Sequence, residues 1–181
     1  MMSAVIEQRQ AAMNRASGGD AQSFSLLIEP LLDPAYRLAA VMLSDRGAAE
    51  DAVQEASIKA WRKLGQLRGD AGALRPWFLS IVANECRMAR RRRWWSVLRM
   101  ADVDRSADSS DRFSRQSADL RAALLRLSPD DRLPLVLHFY LDLSIEDMAR
   151  VAGASVPAAK ARLYRAIATL RRRLEELEVR T

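Results

Sequence analysis

The sequence predicts an all-α protein of two small helical domains joined by a flexible linker, with a helix-turn-helix in the second. Three observations carry this prediction. Glycine and proline are few, seven and six in 181 residues, and Ala, Leu, Arg and Glu dominate with little period-two alternation. Residues 96–117, SVLRMADVDRSADSSDRFSRQS, are rich in Ser and Asp with scattered apolar residues, which is linker composition. Residues 144–174 read helix, glycine-containing turn, helix. The domains are therefore expected over residues 1–95 and 118–181.

Taken in order, Ser17-Gly18-Gly19-Asp20 is a turn whose Asp20 caps the next helix. Pro30 is expected to kink or interrupt that helix, with Asp33-Pro34 restarting it as cap and first helical residue. Residues 47–64 form a further helix, GQLRGDAGAL a loop, and a long helix runs from Pro76 through WFLSIVANECRMARRRRWW. After the linker, ADLRAALLRL is a short amphipathic helix, and Ser128-Pro129-Asp130-Asp131 starts a second. Ser144 opens a third, with Asp147 at the capping-box position. Gly153 breaks it, and Ser155 caps a fourth that tolerates Pro157 in its first turn.

Composition narrows the function. A hydrophobic fraction of 49% supports packed cores. One Cys and one His rule out a disulfide framework and any site of several Cys or His ligands. No apolar run approaches a membrane span, and MMSAVIEQRQAAMNRASGGD lacks a continuous signal-peptide core, so a soluble, cytoplasmic protein is expected. The net charge of +6 favours an anionic partner, nucleic acid first and a membrane surface second. No Gly-rich phosphate cradle, HExxH or GxSxG is present, so neither an enzyme nor a cofactor is expected.

Three segments carry chemistry. In helix 47–64, Val53, Ala56, Ala60, Trp61 and Leu64 recur at core spacing, while Asp51, Gln54, Glu55, Ile58 and Arg62 share another face. An exposed Ile amid acids and an amide suits a protein interface, although spacing alone favours a solvated face. Asn84, Arg87 and Arg91 form a stripe overlapping Arg90–Arg93 and followed by Trp94 and Trp95. Guanidinium groups suit phosphates and indoles stack on unpaired bases; a basic helix end closing a core, or an anionic membrane contact, fits the same residues. In the third segment, Ile145, Met148, Ala149 and Ala152 face Val156, Leu163, Ile167 and Leu170. That leaves Ala158, Lys160, Ala161, Tyr164 and Arg165 outward, with Arg162 placed for a phosphate. His138 is expected as a satisfied, partly buried residue, Cys86 as a small half-buried one, and Trp77 and Phe78 as core.

The order of segments then matters more than any one of them. GD-AQSFSLL, AEDAVQEASIKAWRKL, LRGDAGALRPWFLSIVANECRMARRRR and LSPDDRLPLVLHFYLDLSIEDMARVAGASVPAAKARLYRAIATLRRRL together resemble the bacterial extracytoplasmic-function (ECF) sigma factors of the sigma-70 family. The resemblance implies an alternative sigma factor that binds core RNA polymerase, with a first domain that opens the −10 promoter element and a second that reads the −35 element. It implies docking on the clamp of the largest polymerase subunit through Asp51, Gln54 and Glu55, with Ile58 and Arg62 beside them. It implies −10 contacts from Arg68, Asn84, Arg87, Arg90 and Arg91, with the loop Arg68 to Leu74 forming part of the base pocket. It implies −35 contacts from Lys160, Ala161, Arg162, Tyr164 and Arg165, and an anti-sigma partner that clamps both domains. Two departures stand out: Leu79-Ser80 where the family often has Tyr-Arg, and Pro157-Ala158-Ala159 where Gly-Thr-Val is common. A stand-alone helix-turn-helix regulator with an N-terminal sensing or dimerising domain is the alternative.

Overall fold

The computed structural model describes residues 2–67, 71–97, 120, 123, 124 and 126–178. Its helices are α1 (Met2–Ser17), α2 (Ala21–Leu43), α3 (Arg46–Lys63), α4 (Leu74–Val97), α5 (Pro129–Leu135), α6 (Ile145–Ala152) and α7 (Val156–Glu178). Short 3-10 turns, Leu64–Gln66 and Ala71–Ala73, flank the loop before α4, and a π-turn, Val136–Tyr140, follows α5. No strand occurs among the described residues. The expected linker falls mostly outside them, as do Arg68 and several residues of the ADLRAALLRL segment.

The caps read from sequence are in place. The Asp20 carboxylate accepts from the backbone N–H groups of Gln22 and Ser23, at 3.2 and 3.3 Å. Ser128 and Ser144 hydroxyls accept from Asp131 N and Asp147 N, each at 3.1 Å, and Ser155 accepts from Ala158 N at 3.4 Å. Gly153 ends α6 at φ 62°, a left-handed conformation that a side chain would strain.

Helix α2 corrects one expectation. Neither Pro30 nor Pro34 interrupts it; both lie inside a continuous helix of 23 residues. Pro30 lacks the N–H that would bond Leu26 O, and Pro34 the one that would bond Pro30 O. Leu26, Glu29, Pro30 and Asp33 form the solvent face, so the freed carbonyls belong to exposed residues and are not sealed in the core. Asp33 is consequently no cap; its carboxylate accepts from Arg37 Nε at 3.0 Å, one turn on.

Small residues set the packing of α3. Ala49, Ala52, Ala56 and Ala60 are buried, which lets α2 and α4 approach closely. From α4, Phe78, Leu79, Val82, Ala83 and Cys86 fill the same core. Cys86 is fully buried, not half-buried, because its stripe faces α2 and α3. Trp61 lies at the edge, its ring 5.0 Å from Phe24. His138 is partly buried, with Nδ1 3.1 Å from Leu143 O.

The two halves share one core. Leu127, Leu133, Leu135, Val136, Leu137, Leu141 and Leu143 belong to the core that α2, α3 and α4 build. Polar contacts close the seam. Arg132, 6% exposed, donates to Leu127 O in its own half and to Val41 O and Ser44 Oγ at the end of α2, at 3.0, 2.8 and 3.2 Å. Arg75 donates to Leu141 O at 2.6 Å, and Arg37 to the Tyr140 hydroxyl at 2.6 Å while lying 5.5 Å from that ring's centroid.

Two outcomes follow. Arg132→Ala strands buried carbonyls at Leu127 and Val41 and should cost about 1–3 kcal/mol in urea unfolding; a change below ~0.5 kcal/mol would contradict the seam's role. Burial pushes the Cys86 thiol up to about 12. Its neutral form is thus retained in the fold up to that pH, while the unfolded thiol ionises near 9, so stability declines as pH rises between these values. At pH 8 Cys86 should react with a thiol reagent only after unfolding; full labelling of the folded chain would contradict its burial.

Candidate nucleic-acid and polymerase interface

The α3 surface follows from its periodicity. Asp45 caps the helix by accepting from Ala48 N at 3.0 Å, and the buried alanines fix which side faces out. Asp51, Gln54, Glu55, Ile58 and Arg62 are all exposed on one face, Ile58 at 39%. An apolar side chain held among hydrogen-bonding groups is what a protein partner uses: the Ile is desolvated while the acids and amide set register.

Helices α3 and α4 also share a pair that sequence reading missed. Lys59 Nζ on α3 is 2.6 Å from Glu85 Oε2 on α4, the carboxylate side chain only 10% exposed. The pair ties the helix bearing the acidic face to the helix bearing Asn84. Its signal was present in the chain: Glu85 sits three after Val82 and seven after Phe78, on the core stripe, where a carboxylate needs a cation.

On α4, Asn84 is exposed and its Oδ1 accepts from Arg87 Nη1 at 2.8 Å. A guanidinium only donates, so the Asn84 amide presents its NH2 end for another acceptor. Burial holds the Arg87 guanidinium below its ordinary value; Asp130 pulls it up, and Arg162 and Arg90 push it down. Arg90 Nη1 lies 3.5 Å from Asp130 Oδ1, and Arg91 is exposed. The side chains of Arg93, Trp94 and Trp95 lie outside the described set, as does Arg68.

The helix-turn-helix of α6 and α7 closes on Met148, Ala149 and Val151 from the first helix and Ala159, Leu163 and Ala166 from the second. Lys160, Ala161, Arg162, Tyr164 and Arg165 are exposed, Tyr164 at 60%, and Ala158 is half-buried. Val156 corrects the expected stripe. It is 40% exposed because it begins α7 beyond the reach of α6, and Ala159 takes the core position one turn later.

The structure therefore brings some predicted residues together and keeps others apart. Arg90 of α4 meets Asp130 of α5 at 3.5 Å, and the charges of Asp130 and of Arg162 on α7 act on Arg87, so candidates for two DNA elements border one seam. Lys160, Tyr164 and Arg165 stay on the outer surface, and the α3 face is exposed on the first half. Among the described residues no group of His, Cys, Asp and Glu is placed to hold a metal, and no helix is long and apolar enough to cross a membrane.

Comparison with known proteins matches these parts one for one. Sigma-70 region 2 matches residues 27–96 and Sigma-70 region 4 matches residues 117–170. RNA polymerase sigma-H factor of Pseudomonas aeruginosa is 31% identical over 192 residues, covering 94% of this chain and 96% of that protein. ECF RNA polymerase sigma factor SigM of Mycobacterium tuberculosis is 32% identical, covering 86% and 79%. ECF RNA polymerase sigma factor BldN of Streptomyces coelicolor is 30% identical, covering 91% of this chain but 65% of that protein. Among solved structures, the sigma factor RpoE of Bartonella quintana, in complex with the anti-sigma factor NepR, aligns with a TM-score of 0.71 and 26% identity over 86% of this chain and 98% of that one. CnrH, in complex with the cytosolic domain of CnrY, shares the fold at a TM-score of 0.67. With region 2 carrying the α3 and α4 surfaces and region 4 the helix-turn-helix, the chain belongs to the sigma-70 family, among its ECF RNA polymerase sigma factors.

Proposed function

We propose that this chain is an alternative sigma factor that binds core RNA polymerase and directs initiation at promoters through their −10 and −35 elements. The observation that carries this is one chain presenting two surfaces of different chemistry: the exposed Asp51/Gln54/Glu55/Ile58/Arg62 face of α3 and the cationic outer side of α7. The polymerase supplies the bond-forming chemistry, and this chain supplies placement. Asp51, Gln54 and Glu55 give acceptors and a donor to a partner helix, Ile58 the apolar contact, and Arg62 the opposite charge at the rim. Asn84, held by Arg87, is the group for an unpaired −10 base, since an amide both donates to and accepts from a base edge. Arg90 and Arg91 serve the flanking phosphates. On α7, Lys160, Ala161, Tyr164 and Arg165 enter the major groove and Arg162 reaches backbone. The site of action is the cytoplasm, where polymerase and promoter are.

The seam gives this reading a conformational consequence. With Arg90 3.5 Å from Asp130, the halves that would carry the −10 and −35 contacts are packed against each other, closer than two separate promoter elements require. Engagement therefore requires the halves to separate, and residues 96–117 can span up to ~70 Å when extended. An anti-sigma protein is the natural antagonist, holding the seam shut; Bartonella quintana RpoE is solved with one.

Three measurements test the assignments. Asp51→Arg with Glu55→Arg should weaken core-polymerase binding at least tenfold while circular dichroism stays unchanged; undiminished binding by folded protein would remove this face from the account. Asn84→Ala should reduce promoter opening, read as permanganate-reactive thymines, more than it reduces polymerase binding; equal opening by mutant and parent would make Asn84 merely structural. Lys160→Ala and Arg165→Ala should each weaken binding to −35 duplex. A phosphate contact shows as a salt slope lower by about one, and a base contact as a loss of ~1–3 kcal/mol confined to certain base pairs. Neither change in either variant would move the duplex surface elsewhere.

A further inference from the structure

The helix α1 lies before the segment that matches region 2, which begins at residue 27, yet it is built into the site. Met13 and Ala16 are buried with Leu27, Leu64 and Leu74, so α1 packs where the loop leaves α3 and where α4 begins. One polar contact accompanies this packing. The amide oxygen of half-buried Gln10 accepts from the backbone N–H of Ala71 at 3.0 Å, across 61 residues of sequence.

That N–H opens the turn Ala71–Ala73, which runs directly into α4 at Leu74. Donors at the start of a helical segment have no partner within it and take a side-chain acceptor or water. Here the acceptor comes from a different helix, so Gln10 caps the start of the turn in trans. The Gln10 side chain is itself steadied, its Nε2 donating to Asn14 Oδ1 at 3.4 Å one turn along α1. The Gln10–Ala71 bond thus sets where the end of the loop sits relative to the base of α4, ten residues before Asn84.

We propose that Gln10 is a positioning residue for −10 recognition: by holding Ala71 N it fixes the trailing end of the loop, Ala71 to Leu74, beside the helix that carries Asn84. Gln10 makes no contact with DNA in this scheme and acts through the loop backbone. The inference rests on the reading of Asn84 as the −10 base contact.

The test uses the full chain with core polymerase. Gln10→Met keeps side-chain length and helix propensity and removes the acceptor; Gln10→Glu keeps an acceptor. Hydrogen exchange on the free protein should show the Ala71 amide exchanging about three- to tenfold faster in Gln10→Met, with the amides of α4 beyond its first turn unchanged. In the holoenzyme, Gln10→Met should lose about three- to tenfold of its preference for a consensus −10 element over one substituted at the captured base, at unaltered polymerase affinity, and Gln10→Glu should recover most of it. A Gln10→Met holoenzyme with full −10 preference overturns the proposal, as does loss of polymerase affinity and −10 preference in equal proportion, which marks a purely structural residue. Asn84→Ala run alongside separates two failures. If it loses opening while Gln10→Met keeps its preference, the positioning role is wrong and the −10 reading stands. If neither variant loses anything, the −10 reading falls and the positioning role falls with it.

Discussion

A guanidinium buried between helices has to find acceptors, and Arg132 finds them on both sides of the molecule. Leu127 O lies in its own half; Val41 O and Ser44 Oγ lie at the end of α2. Burial holds this group below its ordinary value, with Arg90 adding to the effect. Its acceptors are neutral, so hydrogen bonds to carbonyls at a helix end carry the charge, and the negative end of the α2 dipole supports them. Leu133, Leu135 and Leu137 then dock beside it into the core built by α2, α3 and α4. The placement of region 4 on region 2 depends on this cluster.

That placement explains why Arg87 and Arg90, proposed for DNA, are half-buried. Under the proposed function Arg87 and Arg90 serve phosphate, but here Arg90 lies 3.5 Å from Asp130 and the charges of Asp130 and Arg162 both act on Arg87. Asp130 is one carboxylate set among several cations, so the polar edge of the seam is under-neutralised while its apolar centre is well packed. Such a joint is held by burial and loosened by anything that draws its arginines away, as a polyanion would. The α3 face takes no part in the seam, and Asp51, Gln54, Glu55, Ile58 and Arg62 stay exposed.

Much of this was legible in the chain, for local reasons. Asp20, Ser128, Ser144 and Ser155 are caps because their side chains reach a backbone N–H two or three residues on, and spacing alone reveals that. The α3 face is legible because its opposite side is a run of alanines at helical spacing. Pro30 and Pro34 misled because the carbonyls they leave unbonded, at Leu26 and Pro30, belong to exposed residues, where the loss of a helix bond costs little. Arg132 and Gln10 were invisible for another reason: their partners are backbone atoms far along the chain, and a backbone acceptor or donor leaves no mark in sequence. Arg75, donating to Leu141 O, belongs to the same class.

The seam is the central claim, and a distance across it tests that claim most directly. Cys86 is buried, so spin labels can be directed to Glu29→Cys on α2 and Arg172→Cys on α7, both exposed positions. Pulsed dipolar spectroscopy on the free protein should give one narrow distance distribution. Arg132→Ala should broaden it, and core polymerase with promoter DNA should replace it with a longer distance. A broad distribution in the free parent protein, indifferent to Arg132→Ala, would contradict the account.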